Sequence, residues 1–149
     1  MEKLNTVLSG VSGEYFVAAE LSRRGYIASI TLRNTKGVDI LCSNSEATKT
    51  ISIQVKTNSG STRSWILNQK VEAFCDENLF YIFVNLNDSG KQPDFFIVPS
   101  KEVSRYCKEG HRAWLSAPGK KGQKHIDTTM RKFNDPEEKY LNRWDLLGL

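Results

Sequence analysis

Gly37-Val38-Asp39-Ile40-Leu41-Cys42-Ser43 and Thr50-Ile51-Ser52-Ile53-Gln54-Val55-Lys56 read as the two strands of one antiparallel hairpin, joined by the polar insertion Asn44-Ser45-Glu46-Ala47-Thr48-Lys49. Side chains alternate across a strand, so Ile51, Ile53 and Val55 share one face of the second strand while Gln54 and Lys56 share the other. In the first strand Val38, Ile40 and Cys42 oppose Asp39 and Leu41. If the loop sets Ser43 against Thr50, Asp39 falls opposite Gln54, with Cβ atoms about 5 Å apart. A slip of one residue would part them.

An aspartate in an apolar strand needs a partner, because burying an unpaired carboxylate costs several kcal/mol. Lys56 can be that partner alone, in a structural ion pair. A second carboxylate comes from the preceding helix. From Ser12 to Gly25 the residues Glu14, Val17, Ala18 and Leu21 follow helical spacing, which puts Glu14 on the apolar side. With Ser12 as N-cap, Glu14 also reads plainly as a first-turn acid that complements the helix dipole. If Glu14, Asp39, Gln54 and Lys56 converge, they supply two carboxylates, an amide oxygen and an ammonium. Hard divalent cations take such oxygen ligands, and a nearby lysine stabilises charge that develops on phosphate.

Glu14, Gly37-Val38-Asp39 and Gln54-Val55-Lys56, in that order and with a hairpin between the last two, resemble the PD-(D/E)XK nuclease superfamily, which includes many restriction endonucleases and Holliday-junction resolvases. The likeness in motifs covers Ser12 to Thr57, and an αβββαβ element order extends it to about Leu86. Val38 stands where the named motif has proline, and Gln54 replaces its acidic residue, as in QXK variants of the superfamily. The resemblance implies a restriction-endonuclease-like α/β fold, with a mixed central sheet flanked by helices. It also implies a Mg²⁺ site, with Mn²⁺ as substitute. Asp39, Gln54 and the backbone carbonyl of Val55 would hold the ion, and Glu14 would complete the site directly or through water. Lys56 would orient the attacking water. The neutral amide of Gln54 lowers the expected metal affinity.

Composition is compatible with this. The 149 residues, 39% hydrophobic, suit a single domain spanning 1–149. The net charge of +4 is unevenly placed, because Lys101 to Lys132 carries nine basic residues against three acidic ones. That basic segment suits nucleic-acid binding through phosphates, although a solvated surface explains it as plainly. No apolar stretch is long enough to span a membrane and the first residues lack a leader pattern, so a cytoplasmic protein is expected. Cys42, Cys75 and Cys107 lack metal-site spacing and read as buried small hydrophobes.

The polar segment Thr57 to Ser64 is expected to be a loop facing substrate. Its Arg63 is a candidate phosphate contact, with a mobile surface arginine as the plainer reading. Asn68 is expected to cap a helix running to about Asp76, and Leu79 to Leu86 reads as a strand covered on both faces. A further strand is expected over Asp94 to Val98 and a helix from Ser100 to Cys107. A basic loop over about 110–134 offers Lys120, Lys121 and Lys124 to nucleic acid, with disorder in the free protein as an equal reading. Asp135-Pro136-Glu137-Glu138 has the signature of a helix start, so a C-terminal helix is expected over about 136–147.

The function expected from all this is metal-dependent endonuclease action on DNA, and the resemblance alone implies a restriction, defence or mobile-element setting. Cutting both strands of a duplex is simplest with two active sites, which points to a homodimer. The alternative is a nuclease-fold module, catalytically weakened at Gln54, that binds nucleic acid or a protein partner.

Overall fold

A computed structural model describes residues 4–32 and 36–149. Its centre is a five-stranded mixed sheet in which β1 (Ile27–Ile30), β2 (Ile40–Ser43), β3 (Thr50–Asn58), β5 (Leu79–Asn85) and β6 (Asp94–Pro99) lie side by side in that order. β3 and β5 run parallel, and the other neighbours are antiparallel. The remaining strands, β4 (Ser64–Asn68) and β7 (Met130–Asn134), pair with each other as a separate two-stranded ribbon. Helix α1 (Thr6–Arg23) covers one face of the sheet, and α2 (Ser100–Ser116) packs on the other with the ribbon.

The alternation read from the hairpin decides this layering. Ile51, Ile53 and Val55 join Ile40, Cys42, Val17 and Leu21 in the core beneath α1. On the opposite face Tyr81, Phe83 and Phe96 pack under Trp65, Leu67 and Phe133 of the ribbon and Val103 and Cys107 of α2. Phe83 is the hub of that second core, with ring centroids 5.0 Å from Trp65 and 4.6 Å from Phe133. β5 is buried at all seven positions, as its unbroken apolar run requires. The β2–β3 register places Ser43 against Thr50.

Several local expectations are corrected. α1 begins two turns earlier than Ser12, because the Asn5 side chain accepts a hydrogen bond from the Leu8 N–H at 2.8 Å and is the true N-cap. The expected helix from Asn68 is one 3-10 turn, Gln69–Glu72, and the strand β4 precedes it. α2 extends to Ser116, so only the stretch before β7 remains of the basic loop. Cys75 is exposed, unlike Cys42 and Cys107.

No α-helix forms over 136–147. Glu138 and Asn142 adopt left-handed conformations (φ 57° and 54°), and the exposed edge of β6 takes over the backbone. There Ile97 N–H donates to Tyr140 O at 3.0 Å and Asn142 N–H to Phe95 O at 2.8 Å, before a 3-10 turn at Trp144–Leu147. Asp135 still caps, but it closes a turn instead of starting a helix. Its carboxylate oxygens accept from the Lys139 and Tyr140 N–H groups, both at 2.9 Å. Asp135 is buried, so Asp135→Ala strands two donors and is expected to cost about 1–3 kcal/mol, read as a lower urea midpoint with unchanged slope.

Candidate active site

The hairpin opens just where its polar residues begin. The β2–β3 ladder runs from Ser43↔Thr50 to Ile40↔Ile53 and ends there. Asp39 is then fixed by its main chain on both sides: its N–H donates to Ile53 O and its C=O accepts from Thr31 N–H, each at 2.9 Å. Its side chain does what the ladder no longer does. Asp39 Oδ2 accepts the Val55 N–H at 2.7 Å, so the carboxylate stands in for a strand partner. Among the described residues Oδ1 has no hydrogen-bond partner.

Main-chain alternation in β3 carries the geometry further. Ser52 N–H and Asn58 C=O bond toward β5, whereas Ile53 C=O bonds toward β2. By that parity the Val55 carbonyl points into the same gap as the Asp39 carboxylate. Gln54 and Lys56 lie on the sheet face that carries Tyr81 and Phe83, their register partners in β5. Both are half-buried.

Burial raises the Asp39 carboxyl above the ordinary aspartate range, and the Val55 hydrogen bond and the Lys56 charge pull it back only in part. The simple alternative of a contact ion pair is not realised, because among the described residues no Asp39–Lys56 pair lies within 4 Å. The Lys56 charge acts on Asp39 through its field, without a contact pair. A folded-state pKa above the unfolded one stabilises the fold at low pH, and that contribution is lost as pH rises through the folded value. Asp39→Asn keeps an acceptor for Val55 N–H and removes the desolvated charge. It is expected to match or exceed the native chain in stability at pH 7, with the difference vanishing near pH 3, as thermal melts at both pH values would show.

Glu14 is placed differently from the other three. With α1 starting at Thr6 it sits in the third turn, beyond the reach of the N-terminal dipole, so the capping reading falls. It is half-buried beside Gly13, which meets Thr57 of β3, and α1 lies over the sheet face opposite to Gln54 and Lys56. The structure therefore joins Asp39 to Val55, sets Gln54 and Lys56 on one face of the same strand, and carries Glu14 on the neighbouring layer next to the end of that strand. Among the described residues no three His, Cys, Asp or Glu side chains cluster as a metal site. An ion here would depend on the Gln54 amide and the Val55 carbonyl. An all-oxygen set of carboxylate, amide and main-chain carbonyl fits a hard cation such as Mg²⁺.

The other expected contacts separate. Arg63 pairs with Glu138 across the loop before β4, while Lys120, Lys121 and Lys124 lie exposed between α2 and β7. Two neighbours of the site carried no signal in the sequence. Thr31 holds Asp39 as described and donates its hydroxyl to Val38 O at 2.7 Å. Tyr81, opposite Gln54, has a hydroxyl that burial pushes up to about 12. A cavity of about 600 Å³ opens elsewhere, between α2 and β7, and none of the four site residues lines it.

The architecture is similar to that of a solved bacterial homing endonuclease, I-Ssp6803I. The match has a TM-score of 0.54 at 16% identity and covers 97% of this chain and 92% of that one. No protein-family model and no curated protein sequence matches the chain. The likeness is one of fold, and it extends over nearly the full length of both proteins. Among the described residues no helix is long and apolar enough to cross a membrane.

Proposed function

We propose that the chain is a divalent-metal-dependent endonuclease that hydrolyses phosphodiester bonds in DNA. The observation that carries this reading is the opened end of the hairpin. There a carboxylate is locked by the Val55 N–H, in the field of a lysine that it does not pair with, within a fold shared with an endonuclease. A structural ion pair would close that gap, whereas this arrangement leaves an oxygen and an ammonium for a third party.

In this reading Asp39 Oδ1, the Gln54 amide oxygen and the Val55 carbonyl hold Mg²⁺, with Glu14 supporting the site through water. The cation supplies charge neutralisation at the scissile phosphate. Asp39 is held in one orientation by Val55, so its geometry is set before substrate arrives. Lys56 hydrogen-bonds the attacking water and stabilises the charge that builds on the phosphoryl oxygens. Half-burial of Gln54 and Lys56 limits competing bulk water.

Supercoiled plasmid incubated with the protein, with and without Mg²⁺ or Mn²⁺, tests this directly. Nicking that requires the cation and disappears in Asp39→Ala and Lys56→Ala supports the enzyme. Retained cutting in both variants refutes it.

The small acid count at the site favours one second reading, a nuclease-fold module that binds DNA without cutting. Salt-sensitive retention of DNA with no nicking under either cation would identify it.

A further inference from the structure

The β4–β7 ribbon has two unlike faces. Trp65, Leu67 and Phe133 point inward onto Phe83 and Phe96, where Trp65 Nε1–H donates to Val84 O at 3.1 Å. The outward face carries the cross-strand pairs Ile66↔Lys132 and Asn68↔Met130. Ile66 is 67% and Met130 53% exposed, large apolar side chains set beside a lysine on a flat two-stranded element. The ribbon's aromatic core contacts lie on its other side, and on this side Met130 and Lys132 rim the cavity between α2 and β7 while Ser64 and Asn134 at the far end are half-buried.

We propose that this outward face reads base edges in the major groove of duplex DNA and gives cleavage a sequence preference; the proposal rests on the endonuclease reading above. Three observations support duplex DNA as the occupant. The ribbon is stacked on the sheet face that bears Gln54 and Lys56, so its outer surface and the site look out of the same side of the molecule. It is tied to the catalytic strand, because Asn58 Nδ2–H donates to Ser64 O at 3.3 Å two residues beyond Lys56. Lys132, central on the face, ends the stretch from Lys101 that holds nine basic residues against three acidic ones, which complements phosphate.

Dimensions and chemistry agree. A two-stranded ribbon fits a major groove about 12 Å wide. Five residues of strand span about 17 Å, the rise of roughly five base pairs. Lys132 is matched to guanine O6 and N7, and Ile66 and Met130 to thymine methyl groups. The Asn68 carbonyl oxygen is occupied by Lys70 N–H at 3.1 Å, so only its amide NH₂ remains to meet a base acceptor. The ribbon is also held rigidly from behind, where Arg131 Nε–H donates to Glu72 Oε1 at 2.6 Å.

The test selects bound duplexes from a pool with a randomised interior, using the full chain without divalent cation, and sequences the bound fraction. The native chain is expected to enrich a run of about five base pairs, with roughly tenfold or greater discrimination at the strongest positions. Ile66→Ser and Met130→Ser, which leave charge unchanged, should flatten the preference while affinity for the unselected pool changes less than about threefold. Lys132→Gln should flatten it at one guanine. Ile66→Thr, a strand-compatible change, serves as the control if a serine variant melts early. Preferences identical in native and variant proteins, or none in the native chain, overturn the ribbon assignment and leave the endonuclease reading standing. The ribbon assignment falls equally if the native chain self-associates through this face, so that the serine variants become monomeric with preferences unaltered. No duplex binding by the native chain overturns both.

Discussion

Lys56→Ala is expected to lower cation-dependent plasmid nicking by at least about 100-fold while DNA retention falls less than about threefold. The asymmetry follows from placement. Lys56 is half-buried in the sheet face beside the Asp39 carboxylate, where few phosphates of a bound duplex can meet it, and a charge aimed at the reacting group is worth about 10² to 10³ in rate. A surface lysine would show the reverse, weakening binding uniformly and leaving rate per bound complex intact. Gln54→Glu probes the cation side of the same site. On the proposed reading, a carboxylate in place of the Gln54 amide should lower the Mg²⁺ concentration that half-saturates nicking. An unchanged cation requirement in Gln54→Glu would remove Gln54 from the site.

The largest loss of stability is expected at Gly13. A Cβ built there would stand 3.0 Å from the Thr57 Cβ and closer still to its Oγ1. α1 approaches β3 closely at this glycine, and among the described residues the buried Thr57 hydroxyl has no hydrogen-bond partner. Gly13→Val must push the helix off the strand or force Thr57 aside, at a cost of about 3 kcal/mol or more. Chemical unfolding of Gly13→Val, and of Gly13→Ala with and without Thr57→Ala, measures it. The double variant should recover part of the alanine loss, because the most crowded atom is gone. Equal losses with and without Thr57→Ala would mean that the helix is not seated as described.

The hairpin was legible because its signals are local. Period-two alternation and a loop of fixed length determine both the faces and the register, and Ser43 indeed opposes Thr50. The layered α/β class follows from the same pattern together with the seamless apolar run of β5. What escaped depends on distant pairing. β4 contains only five residues and begins in polar sequence, and it is a strand because β7, far along the chain, supplies its partner. The terminal segment carries a genuine helix-start signature at Asp135-Pro136, but the open edge of β6 offers its backbone hydrogen bonds that a short isolated helix would not match. The shared face of Gln54 and Lys56 was readable from strand periodicity. The layer that holds Glu14 was not, because two turns of α1 lie before Ser12 and no signal short of the Asn5 cap marks them.

The ribbon pairing also dictates an order of assembly. Ser64 meets Asn134 across nearly half of the chain, whereas β1, β2 and β3 are joined by short connections. During synthesis the early strands and α1 can associate while Trp65 and Phe83 still wait for Phe133. Contacts so remote in sequence form slowly, and until β7 emerges an aromatic surface stays open to other nascent chains. Yield in the cell should therefore respond to translation speed and chaperone supply more than the finished molecule's stability would suggest.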